Sequence, residues 1–294
     1  AGTLTAAGVA VQPDELVPLV WLPARGGSLQ LELVAAARRF DVVPYRVAPE
    51  PAALLRELVA GRPVLVLQNL GFASRPVWHY AVLIGYQPDP EVFVLRSGTN
   101  PRLEMAGHEF LRSWQLAARW ALVLLPAGQL PGADDPGGFL RAVAGLEATG
   151  RIEAARTAYA ASTRRWPGQP AAWIGLGNAH HAAGDLAAAE TAFRRALDVA
   201  PRDPVALNNL AETLAARGCL QAAEAALDEG LHAPGPSPAL RALLEETRAG
   251  LETARRDARA AASLADEACV LADVAGRQAK RQAELLNRKL TSDD

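Results

Sequence analysis

Apolar residues along this chain follow two rhythms. From Ala1 to Ala127, short unbroken apolar runs alternate with helical spacing. Pro63-Val64-Leu65-Val66-Leu67-Gln68 has strand length and predicts a buried strand. Residues 80–86, 91–96 and 120–125 read the same way. Leu4 to Val9 predicts a short helix. Ser28, behind Gly26-Gly27, reads as the N-cap of a helix running to about Arg39. A further helix runs from Pro51, at a favoured first-turn position, to Gly61 as its cap, and another lies near 108–117. Helices followed by a meander of strands predict an α+β domain rather than alternating βαβ units.

The rhythm changes after Pro126. The stretch from Pro126 to Gly138 is dense in glycine and proline and sustains neither a helix nor a central strand, so residues 128–135 read as a linker. Beyond it the helical spacing recurs with a fixed period. Trp173, Leu176, Gly177, Ala189, Phe193, Ala196 and Pro201 return one period earlier as Phe139, Ala142, Val143, Ala155, Tyr159, Ser162 and Pro167. They return one period later as Leu207, Leu210, Ala211, Ala223, Leu227 and Gly230. Turn glycines fall at Gly150, Gly184 and Gly218, at the same interval. This resembles the tetratricopeptide repeat and predicts three helix pairs over 136–237. Small residues at the eighth and twentieth slots let paired helices approach, and aromatics fill the space between them. Such an array buries its apolar faces only by stacking and needs a cap. Leu240, Leu243, Leu244 and Leu251 supply one, so 238–294 is expected to be a long capping helix with a polar tail.

The resemblance implies a groove lined by the first helix of each repeat and a peptide or protein partner. By slot, that side offers Ile174, Asn178 and His181 from the second repeat and Asn208 and Glu212 from the third. Their amides suit a peptide backbone; equally, they are positions that helices commonly leave to solvent.

Composition narrows the field. The chain has 294 residues and a formal charge of −2, which lacks the electrostatic footprint of a nucleic-acid binder. No apolar run reaches the ~18 residues of a membrane span. Cys219 and Cys269 are far apart and make neither a disulfide framework nor a metal-ligand spacing. The adjacent His180 and His181 point in different directions on a helix, with no third ligand spaced for them, so no metal site and no cofactor are expected.

One segment offers chemistry: Trp78-His79-Tyr80-Ala81-Val82-Leu83-Ile84-Gly85-Tyr86. Strands 80–86 and 91–96 are joined by Gln87-Pro88-Asp89-Pro90, and a hairpin centred near Pro88 sets Ser97 opposite His79. Asn100 could reach the same ring nitrogen from a loop. A catalytic histidine needs such a partner on its ring. A lone histidine at a strand end is otherwise an ordinary sheet residue.

The pattern of His79, apolar strand, Gly85-Tyr86, turn, apolar strand and polar residue, preceded by Gly61-Arg62-Pro63-Val64-Leu65-Val66, resembles the papain-like bacteriocin-processing (double-glycine leader) cysteine peptidases. The resemblance covers about residues 1–127. It implies a papain-like fold, His79 as general base and acid, and Ser97 or Asn100 as orienting group. It also implies a cysteine nucleophile opening a helix and a glutamine completing an oxyanion hole. Neither cysteine of the chain fits that position, which places both groups upstream of Ala1 and the chain as an N-terminally truncated piece. Two functions follow as expectations. One is a cysteine peptidase-like protein with a peptide-binding array, hydrolysing peptide bonds in its intact form. The alternative is a non-catalytic peptide-binding scaffold. Acyl transfer by the same groups is a third reading.

Overall fold

A computed structural model describes residues 1–233 and 236–258. The chain forms two compact units, one from Ala1 to Pro167 and one from Gly168 onward.

The first unit is a six-stranded antiparallel sheet with helices. Its elements are α1 (Gly2–Ala6), α2 (Pro13–Val20), α3 (Gln30–Arg38), β1 (Val42–Arg46), α4 (Pro51–Val59), β2 (Val64–Asn69), β3 (Trp78–Pro88), β4 (Glu91–Ser97), β5 (Asn100–Ala106), α5 (Gly107–Gln115), β6 (Ala121–Pro126), α6 (Pro136–Glu147) and α7 (Ile152–Arg165). The strand order is β1-β6-β2-β3-β4-β5. Side chains alternate across the sheet. Leu65, Leu67, Tyr80, Leu122 and Leu124 pack with Leu4 of α1 and Leu33 of α3. On the opposite face Gln68 bonds Ser113 of α5.

Three elements lie where the pattern gave no signal. β1 contains Pro44, which an edge strand tolerates because its missing N–H faces no neighbour. β5 is the other edge and carries exposed Arg102 and Glu104, charges that discourage further pairing. α2 forms despite Pro18, opened by a Gln12 N–H to Glu15 Oε1 bond of 2.9 Å. Ser28 is not the cap of α3. Leu29 holds that position in extended conformation, and no side-chain cap bond is made.

The linker is bonded into this unit. Glu57, 1 % exposed, takes a 2.6 Å contact from Arg62 Nε and accepts from the Gly132 N–H at 2.7 Å. Asp135 accepts from Tyr45 Oη at 3.0 Å and from the Gly138 N–H at 2.9 Å, capping α6. Phe139 of α6 packs its ring against Tyr45 and Trp166. The first helix pair therefore groups with the sheet, and the chain divides one repeat later than its change of composition.

The second unit holds α8 (Pro170–Ala182), α9 (Leu186–Val199), α10 (Pro204–Ala216), α11 (Leu220–Leu231) and α12 (Pro238–Ala258). Pro136, Pro170 and Pro204 open α6, α8 and α10, where the missing N–H costs nothing. Gly150, Gly184 and Gly218 turn each pair with φ of 75°, 80° and 82°, which side-chain-bearing residues rarely adopt. Phe193, Leu207, Leu210, Leu214, Leu227 and Leu244 form its core. Arg248 pairs with Asp228, and Arg255 Nη1 meets Glu224 Oε1 at 2.8 Å, so α12 runs antiparallel to α11 and caps the stack. The expected continuation of that helix past 258, with Cys269, lies outside the described residues. Cys219, at the N-cap of α11, is 1 % exposed and disulfide-bonded. No described helix is long and apolar enough to cross a membrane.

Candidate functional site

β3 and β4 meet as a hairpin, but not in the expected register. The closing pair is Pro88 with Glu91, so the turn is Asp89-Pro90 alone. A bulge at Ile84 then shifts the ladder between Leu83 and Gly85, and Val82 pairs with Arg96. The ladder therefore runs two positions from the one that would set Ser97 opposite His79. An even slip keeps side chains on their face, and diagonal neighbours remain in reach. His79 Nε2 and Ser97 Oγ share a hydrogen bond of 2.8 Å. Both residues are half-buried.

Asn100 does not join them. It lies in β5, pairs with Ser97 in the ladder, and turns Oδ1 to the Arg102 N–H at 2.9 Å. His79 is the ladder partner of Gln68, the buried amide facing α5, whereas α1 packs beyond the other face with Tyr80. An imidazole bonded to a hydroxyl can pass a proton; it supplies no thiolate. The cysteines of the chain, Cys219 and Cys269, both lie outside this unit.

Two apolar features flank the pair. Leu70, Phe72 and Val77 are exposed on the β2–β3 connection, and Trp78 is exposed at the start of β3. That loop is fixed by buried Asn69, whose Oδ1 accepts from the Gly71 and Val77 N–H groups at 3.0 and 2.9 Å. Tyr80, next to His79 on β3, packs edge-on to Trp120 at 5.7 Å. Burial, helped by Glu32, pushes the Tyr80 phenol up to about 12.

The second candidate site is on the first helices of the second unit. Asn209 Nδ2 donates to Asn178 Oδ1 at 2.8 Å, linking α10 to α8. Asn208 Nδ2 donates to Glu212 Oε1 at 2.9 Å. Thr247 Oγ1 of α12 lies 3.0 Å from Asn208 Oδ1 and 3.2 Å from Glu212 Oε1. Asn208 is 1 % exposed, so its amide serves packing between α10 and α12 rather than the surface. Glu212 is exposed, and Asn178 and His181 are half-buried. Asn209 and Thr247 were not legible as members of this network. The signal for Asn209 is a separation of 31 from Asn178, three short of the repeat, which sets the two on facing sides of successive first helices.

Asp185 caps α9 and lies 3.5 Å from His180 Nδ1. Among the described residues no three His, Cys, Asp or Glu side chains gather as a metal site would require.

Residues 143–204 and 180–246 match two tetratricopeptide-repeat families. That stretch is a tetratricopeptide array, following an antiparallel sheet-and-helix region. A comparison with curated proteins finds no match. Among solved structures, the chain is similar to the Yersinia enterocolitica type III secretion chaperone SycD in complex with a peptide of the translocator YopD. Identity is 19 %, coverage 40 % of this chain and 90 % of that one, and the TM-score 0.38. It is also similar to the Sgt2 tetratricopeptide domain of Aspergillus fumigatus, at 21 % identity, 42 % and 83 % coverage, and a TM-score of 0.37.

Proposed function

We propose that this protein is a protein-binding scaffold whose tetratricopeptide array holds an extended segment of a partner. The observation that carries this reading is the repeat match over 143–246. It is supported by the polar surface of α8 and α10. Asn178 accepts from Asn209 through its oxygen, which leaves its NH₂ group to donate to a peptide carbonyl. Glu212, steadied by Asn208, offers an exposed carboxylate, and His181 extends the same helix face. Successive first helices present these groups along a line, as an extended backbone requires.

The test is a selection of displayed random peptides on the full chain, followed by affinity measurement on an enriched sequence. Asn178→Ala and Glu212→Ala are each expected to weaken binding by roughly five- to tenfold, the range of one or two hydrogen bonds. Enriched peptides whose affinity ignores both substitutions would refute the reading.

Peptide-bond hydrolysis by a papain-like first unit is the second reading, and the His79–Ser97 bond is what favours it. His79 would act as general base and acid and Ser97 as its orienting group, with the thiol supplied from outside residues 1–294. A hydrolysis assay on the full gene product, with and without a thiol alkylator and with His79→Ala, decides it. Activity lost in both cases supports the peptidase; inactivity throughout leaves the scaffold.

A further inference from the structure

One row of the sheet changes character at its end. Leu122 of β6, Leu65 of β2, Val82 of β3 and Arg96 of β4 are successive ladder partners, so their side chains stand side by side on one face. It is the face of Tyr80, opposite that of His79 and Gln68. Three members of the row are apolar and the fourth is a cation.

The helices do not fill the space over this row. A cavity of about 240 Å³ lies between it and α1, α2 and α3, roofed by Leu4, Leu16, Val17 and Leu33. Apart from Thr3, every side chain lining it is aliphatic. A second cavity of about 550 Å³ opens beside it, and Ala1, Gly2, Pro13 and Val82 line both. Arg96 lines the second cavity and, among the described residues, is the only charged side chain in either lining. Its guanidinium reaches back to α1, where a Cβ on Gly2 would stand 3.8 Å from Nη1. Arg96 is exposed, and among the described residues no carboxylate pairs with it. Glu32, the carboxylate that acts on neighbouring Tyr80, lines neither cavity.

These features define a ligand with two ends. A dry aliphatic cavity takes an apolar group, since water there would lack polar partners. Cavities of roughly 150 Å³ lined by Leu, Ile and Phe hold benzene. A volume of 240 Å³ then takes on the order of ten carbons. The occupant is hydrocarbon rather than peptide, because an amide against leucine and valine walls would lose its hydrogen bonds. At the mouth, the planar fork of a guanidinium matches a carboxylate.

We propose that the first unit binds a medium-chain carboxylic acid, with its tail in the cavity beneath α1–α3 and its carboxylate on Arg96. The site is separate from the repeat array and from the His79–Ser97 pair.

Calorimetry of the full chain with sodium octanoate, below its micelle concentration, tests this. One saturable site is expected. Along the series from hexanoate to tetradecanoate, each added carbon should tighten binding about fourfold until the cavity is full, at about ten carbons, and the gain should then stop. Arg96→Gln, at an exposed position, is expected to weaken octanoate at least about tenfold and 1-octanol less than about twofold. Val17→Asp sets a carboxylate against the tail at a position 50 % exposed, and is expected to abolish octanoate binding while the melting temperature holds. Binding that does not saturate, affinity that climbs unbroken with chain length, or octanoate affinity unchanged by Arg96→Gln would each overturn the proposal. So would tighter binding of acetyl-Leu-Leu than of octanoate, which would assign the site to the C-terminal end of a peptide.

Discussion

Replacing Gly177 by alanine pits two effects of opposite sign against each other. A Cβ at Gly177 would stand 2.5 Å from Phe193 Cε1 and 2.7 Å from Cδ1 and Cζ. Carbon atoms prefer about 3.5–4.0 Å, so the ring must move by about 1 Å. Phe193 is 1 % exposed and packed among Ala189, Leu207 and Leu210, which leaves it nowhere to go without disturbing them. Overpacking of this kind costs about 1–3 kcal/mol. Against it, glycine to alanine inside a helix gains about 0.5–1 kcal/mol. The steric effect wins, and Gly177→Ala is expected to destabilise the second unit by about 1–2 kcal/mol. Gly250→Ala is the control, because among the described residues no atom beyond its own stretch of α12 lies within 4 Å of its Cβ position, and there the helical gain stands alone. Hydrogen exchange of α8 and α9 amides reads the second unit separately from the first. Equal stabilisation by both substitutions would falsify the claim that close packing of α8 on α9 demands glycine at this slot.

Further outcomes follow from the first unit. Glu57→Ala leaves the Arg62 guanidinium and the Gly132 N–H without their acceptor, and is expected to cost about 3 kcal/mol in urea unfolding. Glu57→Gln should cost less because it keeps an acceptor for Gly132. Ser97→Ala removes the half-buried bond to His79, and a loss of about 1 kcal/mol by thermal melting is expected; a loss above about 3 would mean the pair is a keystone of the sheet. Burial raises the phenols of Tyr45, Tyr80 and Tyr159 above their ordinary 10, Tyr80 to about 12. The folded state then holds protons that the unfolded state releases, so stability is intact below pH 10 and falls as pH rises toward 12. A fully buried phenol contributes about 1.4 kcal/mol per pH unit in that window. Solvent screening makes the contribution of half-buried Tyr80 smaller. Phenolate absorbance should therefore rise together with unfolding. Free titration of these tyrosines near pH 10 in the folded protein would contradict this.

Legibility in the sequence followed the physics of each element. The helix pairs announced themselves because every repeat imposes the same steric demand: proline to open, glycine to turn, small residue against aromatic. β2, β4 and β6 were visible as apolar runs since both their faces are covered. β1 and β5 were silent for the opposite reason, being edge strands where Pro44, Arg102 and Glu104 are permitted. The His79–Ser97 bond was anticipated although the register was not. The even slip preserved the face; the sequence marks a turn within 87–90 but neither its narrowing to Asp89-Pro90 nor the bulge at Ile84. Asn100 opens β5, a strand the apolar pattern does not mark, so from the sequence it reads as a loop residue. Asn208 misled because slot alone does not tell that α12 would fold over it and bring Thr247 to its oxygen.

The central claim is that the array, on the face of α8 and α10, is where a partner peptide lies. A selected peptide carrying a photoreactive group, irradiated on the full chain and mapped by mass spectrometry, tests it most directly. The account predicts crosslinks on α8 and α10 around Asn178, His181 and Glu212. Crosslinks concentrated around Trp78 and His79, with none on those helices, would contradict it and shift the binding function to the sheet.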